Sequence, residues 1–213
     1  MVLTVSREYI QLPPGSEVTL QDQTWDDYEA LLESRRDDAA IKIRFNGHTH
    51  QIQLMAPMAG HGNRIDTLVD LVKALLRHQS RDWHSYDPVT LKRLQEAGAE
   101  PDACFYIANW QAVLGKDRLD LATDPPPDLA IEMDMTSLTD LEVYQTLGVP
   151  EVWIYRQGCL SIYGLTAEGY EDRSSSPTFP AVDVKNLLPD YVEKAWAMGS
   201  SVALREFEQF LAA

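Results

Sequence analysis

The chain has 213 residues, of which 45% are hydrophobic, and this size and composition fit one domain with a substantial core. Its formal net charge of -15 at pH 7 argues against a protein that binds nucleic acid tightly and non-specifically, because a polyanion repels phosphate. A local basic patch or a bound metal ion reverses such a field, so the charge does not exclude a metal-dependent nuclease.

The sequence also indicates the cellular compartment of the protein. No run approaches the roughly 18 consecutive apolar residues of a membrane span, and the N-terminal sequence MVLTVSREYI lacks the features of a signal peptide. The two cysteines, Cys104 and Cys159, lie in apolar strand-like runs and are too few for a disulfide framework. We therefore expect a cytoplasmic protein with two buried free thiols.

The N-terminal part of the chain predicts a helix followed by a hairpin. Residues 1–23 contain Pro and Gly breakers and are predicted to be extended or irregular. Thr24 and Asp27 form a capping pair for a helix that runs to about Ser34. Apolar and polar residues alternate on both sides of an Asn-Gly turn in 41–55, which predicts a half-exposed β-hairpin.

The middle of the chain predicts a long helix and two strands. Apolar residues recur at helical spacing over 65–76. The polar segment 80–99 is predicted to be irregular, with a short helix near 89–97. Short apolar runs at 103–107 and 129–133 predict two strands.

The C-terminal part adds helices and a second hairpin. Ser137 and Asp140 form a capping pair for a helix through Leu147, which Gly148 ends with a left-handed turn. The remaining predicted elements are strands over 152–155 and 159–165, a loop over 170–180, and helices over 184–198 and 201–211. The whole predicts one α+β domain over 1–213, a central mixed sheet flanked by helices, with C-terminal helices in 181–213.

Two acidic signatures lie on or beside neighbouring predicted strands. Glu-Pro-Asp occupies 100–102, and Pro-Asp-Leu-Ala-Ile-Glu-Met-Asp occupies 127–134. Because side chains alternate along a strand, Asp128, Glu132 and Asp134 are predicted to share one face. Burying carboxylates together is costly unless a cation neutralises them, and a hard cation such as Mg²⁺ binds carboxylate oxygens.

The order of these motifs resembles the putative restriction endonuclease family of the PD-(D/E)xK nuclease superfamily. The resemblance runs from about Thr24 to Leu211 and is most specific from Pro101 to Tyr155. There the Pro-Asp strand is followed by PPDLAIE and by a capped helix that ends YQTLGVPEVWIY. The resemblance implies a restriction-endonuclease-like core, in which a mixed sheet has helices on both faces.

The same resemblance implies roles for individual residues. Asp102 matches the metal-binding aspartate of the family, and Glu132 matches the acidic residue of the (D/E)xK element. The backbone carbonyl of Met133 is then the expected third oxygen ligand, and Asp134 is either a further ligand or a capping or solvated acid. The implied cofactor is Mg²⁺ or Mn²⁺, and the implied substrate is DNA.

The basic residue of the family pattern is missing from its usual positions. The superfamily's lysine would lie at Asp134, and some relatives supply it from the position of Asp140, so both positions are acidic here. Lys116 and Arg118, between the two acidic signatures, are candidate replacements or simply solvated surface residues. Without a lysine, a metal can still activate water, but we expect a slower reaction.

Two further polar residues, His61 and Asp128, each have two possible roles. The family often has a His-Glu pair before its first long helix, whereas this chain has His61 followed by Gly62, with Asp66 and Glu33 as weak substitutes. His61 is either a structural residue at the helix entry or a ligand. Asp128 fits a turn at the start of a strand better than it fits a ligand.

Two functions therefore remain open. The first is a metal-dependent endonuclease that hydrolyses DNA, with Asp102 and Glu132 holding the metal. The second is a catalytically inactive nuclease-fold protein that acts as a binding or regulatory module, which the missing lysine and the net charge favour. The resemblance also implies a homodimer, for which the apolar hairpin at 152–165 is a candidate surface.

Overall fold

The computed structural model describes residues 4–5, 10–35, 41–135 and 138–212. The described residues form five α-helices, which are α1 (Trp25–Arg35), α2 (Ala59–His78), α3 (Leu141–Leu147), α4 (Val184–Met198) and α5 (Ser200–Leu211). Their strands are β1 (Thr4–Val5), β2 (Ile10–Gln11), β3 (Glu17–Leu20), β4 (Lys42–Asn46), β5 (Gln51–Met55), β6 (His84–Tyr86), β7 (Leu91–Arg93), β8 (Ala97–Ala99), β9 (Ala103–Tyr106), β10 (Leu129–Met133), β11 (Glu151–Arg156), β12 (Cys159–Thr166) and β13 (Gly169–Arg173).

The strands form two main sheets and one small pair. The central sheet has the order β13-β12-β11-β10-β9-β6, and the second sheet has the order β3-β5-β4-β8-β7. The central sheet is mixed, because β10 and β11 run parallel while the other neighbours run antiparallel. A parallel pair needs a crossover connection, and α3 supplies it between β10 and β11.

Helices cover both faces of the central sheet. Leu129, Ile131 and Met133 of β10 pack into one core with α2, α4 and α5. Ala130 of the same strand belongs to a second core with α3. This alternation explains why four of the five residues of the predicted strand are apolar, since both of its faces are buried. The predicted α+β class, a mixed sheet flanked by helices, is confirmed.

Most predicted elements are present with small shifts of their ends. The helices expected over 184–198 and 201–211 are α4 and α5, and the hairpin expected over 152–165 is β11-β12. Asp140 caps α3 by accepting a hydrogen bond from the Glu142 N–H at 3.0 Å, whereas Ser137 lies outside the described residues. Gly148 ends α3 with a φ of 78°. Within the described ranges, none of the helices combines the length and apolar character of a membrane crossing.

The predicted helix near 89–97 is wrong. This segment forms β7 and β8, joined by a turn in which Gln95 has a φ of 62°. Ala97–Ala99 is buried in the core that contains α3, and Gly98 lies against Tyr28 so closely that a Cβ would overlap the tyrosine hydroxyl. The strands are too short to show a periodicity, so the pairing of β8 with β4 and of β7 with β8 decides the structure.

Two more segments predicted to be irregular contain strands. The segment 1–23 includes β3, which pairs with β5, and the predicted loop over 170–180 begins inside β13, which pairs with β12. Both strands lie at the edge of their sheet and carry exposed polar side chains. β3 is only four residues long, and β13 has Tyr170 as its one large apolar residue, so neither gives a strong local pattern.

The apolar side chains of the hairpin β11-β12 pack largely inside the chain. Val152, Trp153, Leu160 and Ile162 are all buried within the chain itself, and β12 is paired on both sides. The prediction of two buried thiols is half wrong, because both cysteines are free but Cys159, just after the hairpin turn, is exposed.

Thr24 and Asp27 form the predicted capping pair of α1. The Thr24 hydroxyl oxygen accepts from the Asp27 N–H at 3.2 Å, and Asp27 Oδ2 accepts from the Thr24 N–H at 3.0 Å. We expect Thr24→Ala to lower the free energy of unfolding by ~1 kcal/mol, measured by urea denaturation. Thr49→Ala, at an exposed turn position, is the control and should change it by less than ~0.5 kcal/mol. Equal effects of the two variants would contradict the capping role.

Candidate active site

Asp102 and Glu132 converge on the central sheet. Asp102 directly precedes β9, and Glu132 lies in β10, which pairs with β9. The Met133 N–H donates to Asp102 Oδ2 at 2.8 Å, and the Asp102 N–H approaches Glu132 Oε2 at 3.4 Å. The two residues are only 9% and 2% exposed. The structure thus brings the two predicted carboxylates together in a mostly buried position.

Two cations from the second sheet neutralise these carboxylates. Lys42 Nζ contacts Asp102 Oδ1 and lies 3.8 Å from Glu132 Oε2. Arg44 Nη2 donates to Glu132 Oε1 at 2.6 Å. The cations are two residues apart on β4 and so share one face of the strand, with their side chains 13% and 14% exposed. The site is therefore built from both sheets and is locally balanced in charge.

A histidine and a tyrosine complete the hydrogen bonding of the pair. His61, in the first turn of α2, places Nε2 3.1 Å from Asp102 Oδ2. Tyr144 of α3 donates its hydroxyl to Glu132 Oε1 at 2.6 Å. His61, for which the sequence left two roles open, is thus buried and in contact with a site carboxylate.

The pKa values of the two carboxyl groups are shifted in opposite directions. For Asp102, burial raises the pKa, but the charge of Lys42 and the contact with His61 outweigh it and hold the pKa well below its ordinary value. For Glu132, burial raises the pKa, and the charge of Asp102 adds to it, so that Lys42 and Arg44 only partly offset the rise. Asp102 is therefore the firmly ionised member of the pair.

The acidic residues at the two motif positions have partners of their own. Asp134 accepts hydrogen bonds from the Thr139 N–H at 2.9 Å and from the Thr139 hydroxyl at 2.6 Å. Asp140, besides capping α3, accepts from the Asn46 side-chain amide at 2.8 Å. For Asp134 the geometry favours the role of a capping acid over that of a metal ligand.

The carboxylate pair has the chemistry of a hard-cation site with few protein ligands. Mg²⁺ usually takes one or two protein carboxylates and keeps several waters, and Asp102 with Glu132 meets that number. The Met133 carbonyl, the expected third ligand, accepts from the Met135 N–H at 3.1 Å and keeps a second lone pair. Among the residues that the structure describes, no group of three or more His, Cys, Asp or Glu could hold a metal. The two carboxylates match the number of protein ligands that one Mg²⁺ usually takes, and the Lys42 ammonium contacts the same pair.

Other residues considered from the sequence lie away from this site. The Asp128 carboxylate accepts from the backbone N–H groups of Ile107 and Ala108 at 2.6 and 3.0 Å, so it caps a loop, in keeping with the predicted role at the start of a strand. Lys116 forms an ion pair with Asp124. Exposed on the surface are Arg118, Asp66 and Glu33.

A buried glutamate holds β4 against the site. The Glu100 carboxylate accepts from both Arg35 Nη atoms at 2.6 Å, from the Ile43 N–H at 2.9 Å and from the Thr90 hydroxyl at 2.8 Å. Ile43 lies between the two cations of β4, and Glu100 lies two residues before the site aspartate. This clamp therefore sets the distance between the cations and the carboxylates.

Lys42 and Arg44 are site residues that the sequence alone does not single out. Alternation over 41–55 placed them on the solvent side of a half-exposed hairpin. The available signal was the pair itself, two basic residues that share one strand face in a chain with 18 Lys and Arg against 33 Asp and Glu. Nothing in that pattern says that the face packs on the central sheet.

Comparison with protein families gives a match over most of the chain. The model of the Uma2 family, described as "Putative restriction endonuclease", matches residues 25–198. The chain belongs to this family. The resemblance inferred from the acidic motifs is thereby confirmed, and the matched range contains both carboxylates and both cations of the Uma2 protein's site.

One solved structure and one negative result complete the comparisons. A crystal structure described as that of a putative nuclease belonging to DUF820, from Anabaena variabilis ATCC 29413, is similar with a TM-score of 0.47 and 15% identity, over 70% of this chain and 90% of that chain. A search of curated proteins gives no match.

Proposed function

We propose that this Uma2 family member is a metal-dependent endonuclease that hydrolyses DNA phosphodiester bonds at Asp102 and Glu132, with Mg²⁺ or Mn²⁺. The observation that carries the proposal is the convergence of two buried carboxylates from adjacent strands in a chain of this family. A homodimer and a cytoplasmic location are further parts of the proposal and come from the sequence analysis.

In this proposal the chain's own residues hold and orient the reacting groups. Asp102 and Glu132 would hold the metal, which when bound polarises the phosphate and lowers the pKa of water. The Met133 N–H and His61 orient Asp102, while Tyr144 orients Glu132. Hydrolysis joins the water oxygen to phosphorus and breaks one ester bond, and the leaving oxygen departs as a hydroxyl with a proton from that water.

A second candidate, an inactive binding or regulatory module, has support from a specific contact. The Lys42 ammonium already satisfies Asp102 and lies near Glu132, so the carboxylates are neutralised without a metal. Buried ion pairs of this kind also occur as purely structural networks. Metal binding and cleavage together separate the two candidates.

The test uses pure full-length protein, supercoiled plasmid, and Mg²⁺ or Mn²⁺. The nuclease proposal predicts nicked or linear plasmid with either metal and none with EDTA, together with saturable Mn²⁺ binding in calorimetry. Protein with neither cleavage nor Mn²⁺ binding would favour the inactive module. Cleavage that continues unchanged in EDTA would contradict a metal-dependent site.

A further inference from the structure

The cation missing from the motif positions is present on another strand. Asp134 and Asp140, where the family pattern offers a lysine, are both engaged with polar partners around the start of α3. Lys42 reaches the same carboxylates from β4, in the second sheet. We propose that Lys42 is a catalytic residue of the hydrolysis, a role that rests on the proposed function.

The position of the Lys42 ammonium supports this role. It contacts Asp102 and lies 3.8 Å from Glu132, so a phosphate or water held at the two carboxylates is within its reach. Its side chain is 13% exposed, and a charge in a mostly dry site acts more strongly on a nearby oxyanion than a charge in water. The ammonium offsets negative charge on the phosphate as it develops and donates a hydrogen bond to the attacking water.

Arg44 is less suited to that role because three partners hold its planar guanidinium in place. Its guanidinium donates to Glu132 Oε1 at 2.6 Å, to Gln53 Oε1 at 2.9 Å and to the Leu138 carbonyl at 3.3 Å. An ammonium has three donors on a flexible stem, and among the described residues Lys42 has one close contact, with Asp102. Lys42 is therefore the less constrained of the two cations and can turn toward water or phosphate, while Arg44 holds Glu132.

The contact between Lys42 and Asp102 gives a second consequence that does not depend on activity. An ammonium bound to a ligand carboxylate competes with a metal ion for the same oxygens. Replacing Lys42 by a neutral side chain adds one net negative charge to the site. Metal affinity should then rise even as cleavage falls, a combination that a merely structural lysine would not produce.

The test compares wild type, Lys42→Met and the control Lys92→Met, a lysine of β7 paired with Glu29 on the surface. At saturating Mn²⁺ we expect Lys42→Met to cleave plasmid about 10²-fold more slowly. In calorimetry we expect it to bind Mn²⁺ about tenfold more tightly than wild type. Lys92→Met should match wild type in both measurements.

Further variants keep the outcome interpretable. In Lys42→Ala, added methylammonium should restore part of the cleavage rate, whereas it should not affect the control. Lys42→Met that cleaves at the wild-type rate would overturn the role of Lys42 and leave the nuclease proposal standing. Loss of both cleavage and Mn²⁺ binding in Lys42→Met would mark a structural lysine and also overturn it. Wild-type protein that binds Mn²⁺ but never cleaves would overturn both proposals.

Discussion

Asp102→Asn is expected to reduce metal-dependent plasmid cleavage by about 10³-fold or more. Asparagine keeps the size of the side chain and an acceptor for the Met133 N–H, but it loses the charge that would hold the metal. Asp102 is the carboxyl whose pKa the Lys42 charge and His61 contact lower despite burial, so its negative charge is present throughout the neutral pH range. A metal's electrostatic contribution of ~4 kcal/mol or more would be lost with it.

The measurement is a single-turnover cleavage rate at saturating Mn²⁺, with circular dichroism to show that the variant is folded. Asp66→Asn is the matched control, because it makes the same change at an exposed aspartate of α2. It should cleave at the wild-type rate. A folded Asp102→Asn protein with undiminished cleavage would show that this carboxylate pair is not the site of the reaction.

Glu100→Ala is expected to lower the free energy of unfolding by about 3–5 kcal/mol, more than any other substitution proposed for this chain. The substitution removes the acceptor of four hydrogen bonds and leaves the Arg35 cation, 11% exposed, without its anion. An uncompensated buried charge and unpaired backbone N–H are costly because neither regains water. Urea denaturation gives the free energy of unfolding directly.

The matched control is Glu208→Ala on α5, which removes the same side chain from an exposed ion pair with Arg77 of α2. Pairs of that kind contribute ~0–1 kcal/mol, so the control should lie close to wild type. Similar losses in the two variants would mean that Glu100 does not act as a buried clamp. A double variant in which apolar residues replace both Arg35 and Glu100 should regain part of the lost free energy of unfolding, and that result would support the clamp.

The parts of the fold that the sequence predicted are those with strong local patterns. The long apolar periodicity of α2 and the Asp140–Gly148 boundaries of α3 depend on residues close in the chain, so one sequence is enough to place them. Apolar strands β9 and β10 were also predictable, and with them the neighbouring carboxylates. Local patterns did not predict the short edge strands β3 and β13 or the pair β7-β8, because these strands form through partners elsewhere in the chain.

Half of the candidate site was likewise beyond a local argument. The two carboxylates come from motifs on adjacent strands, and the family resemblance singled them out. Lys42 reaches Asp102 across 60 positions, and Arg44 reaches Glu132 across 88. Alternation places both cations on one face of β4, but only the packing of the second sheet on the central sheet shows what that face meets.

The construction of this site from two sheets bears on how the chain folds. Contacts between residues so distant in sequence form at a high cost in loop entropy and tend to lengthen the search for the native topology. An intermediate with only the central sheet assembled would carry two buried carboxylates without their counter-ions, and it would therefore be unstable. Ordering of the β4 segment and assembly of the candidate site should then occur in one late, cooperative step.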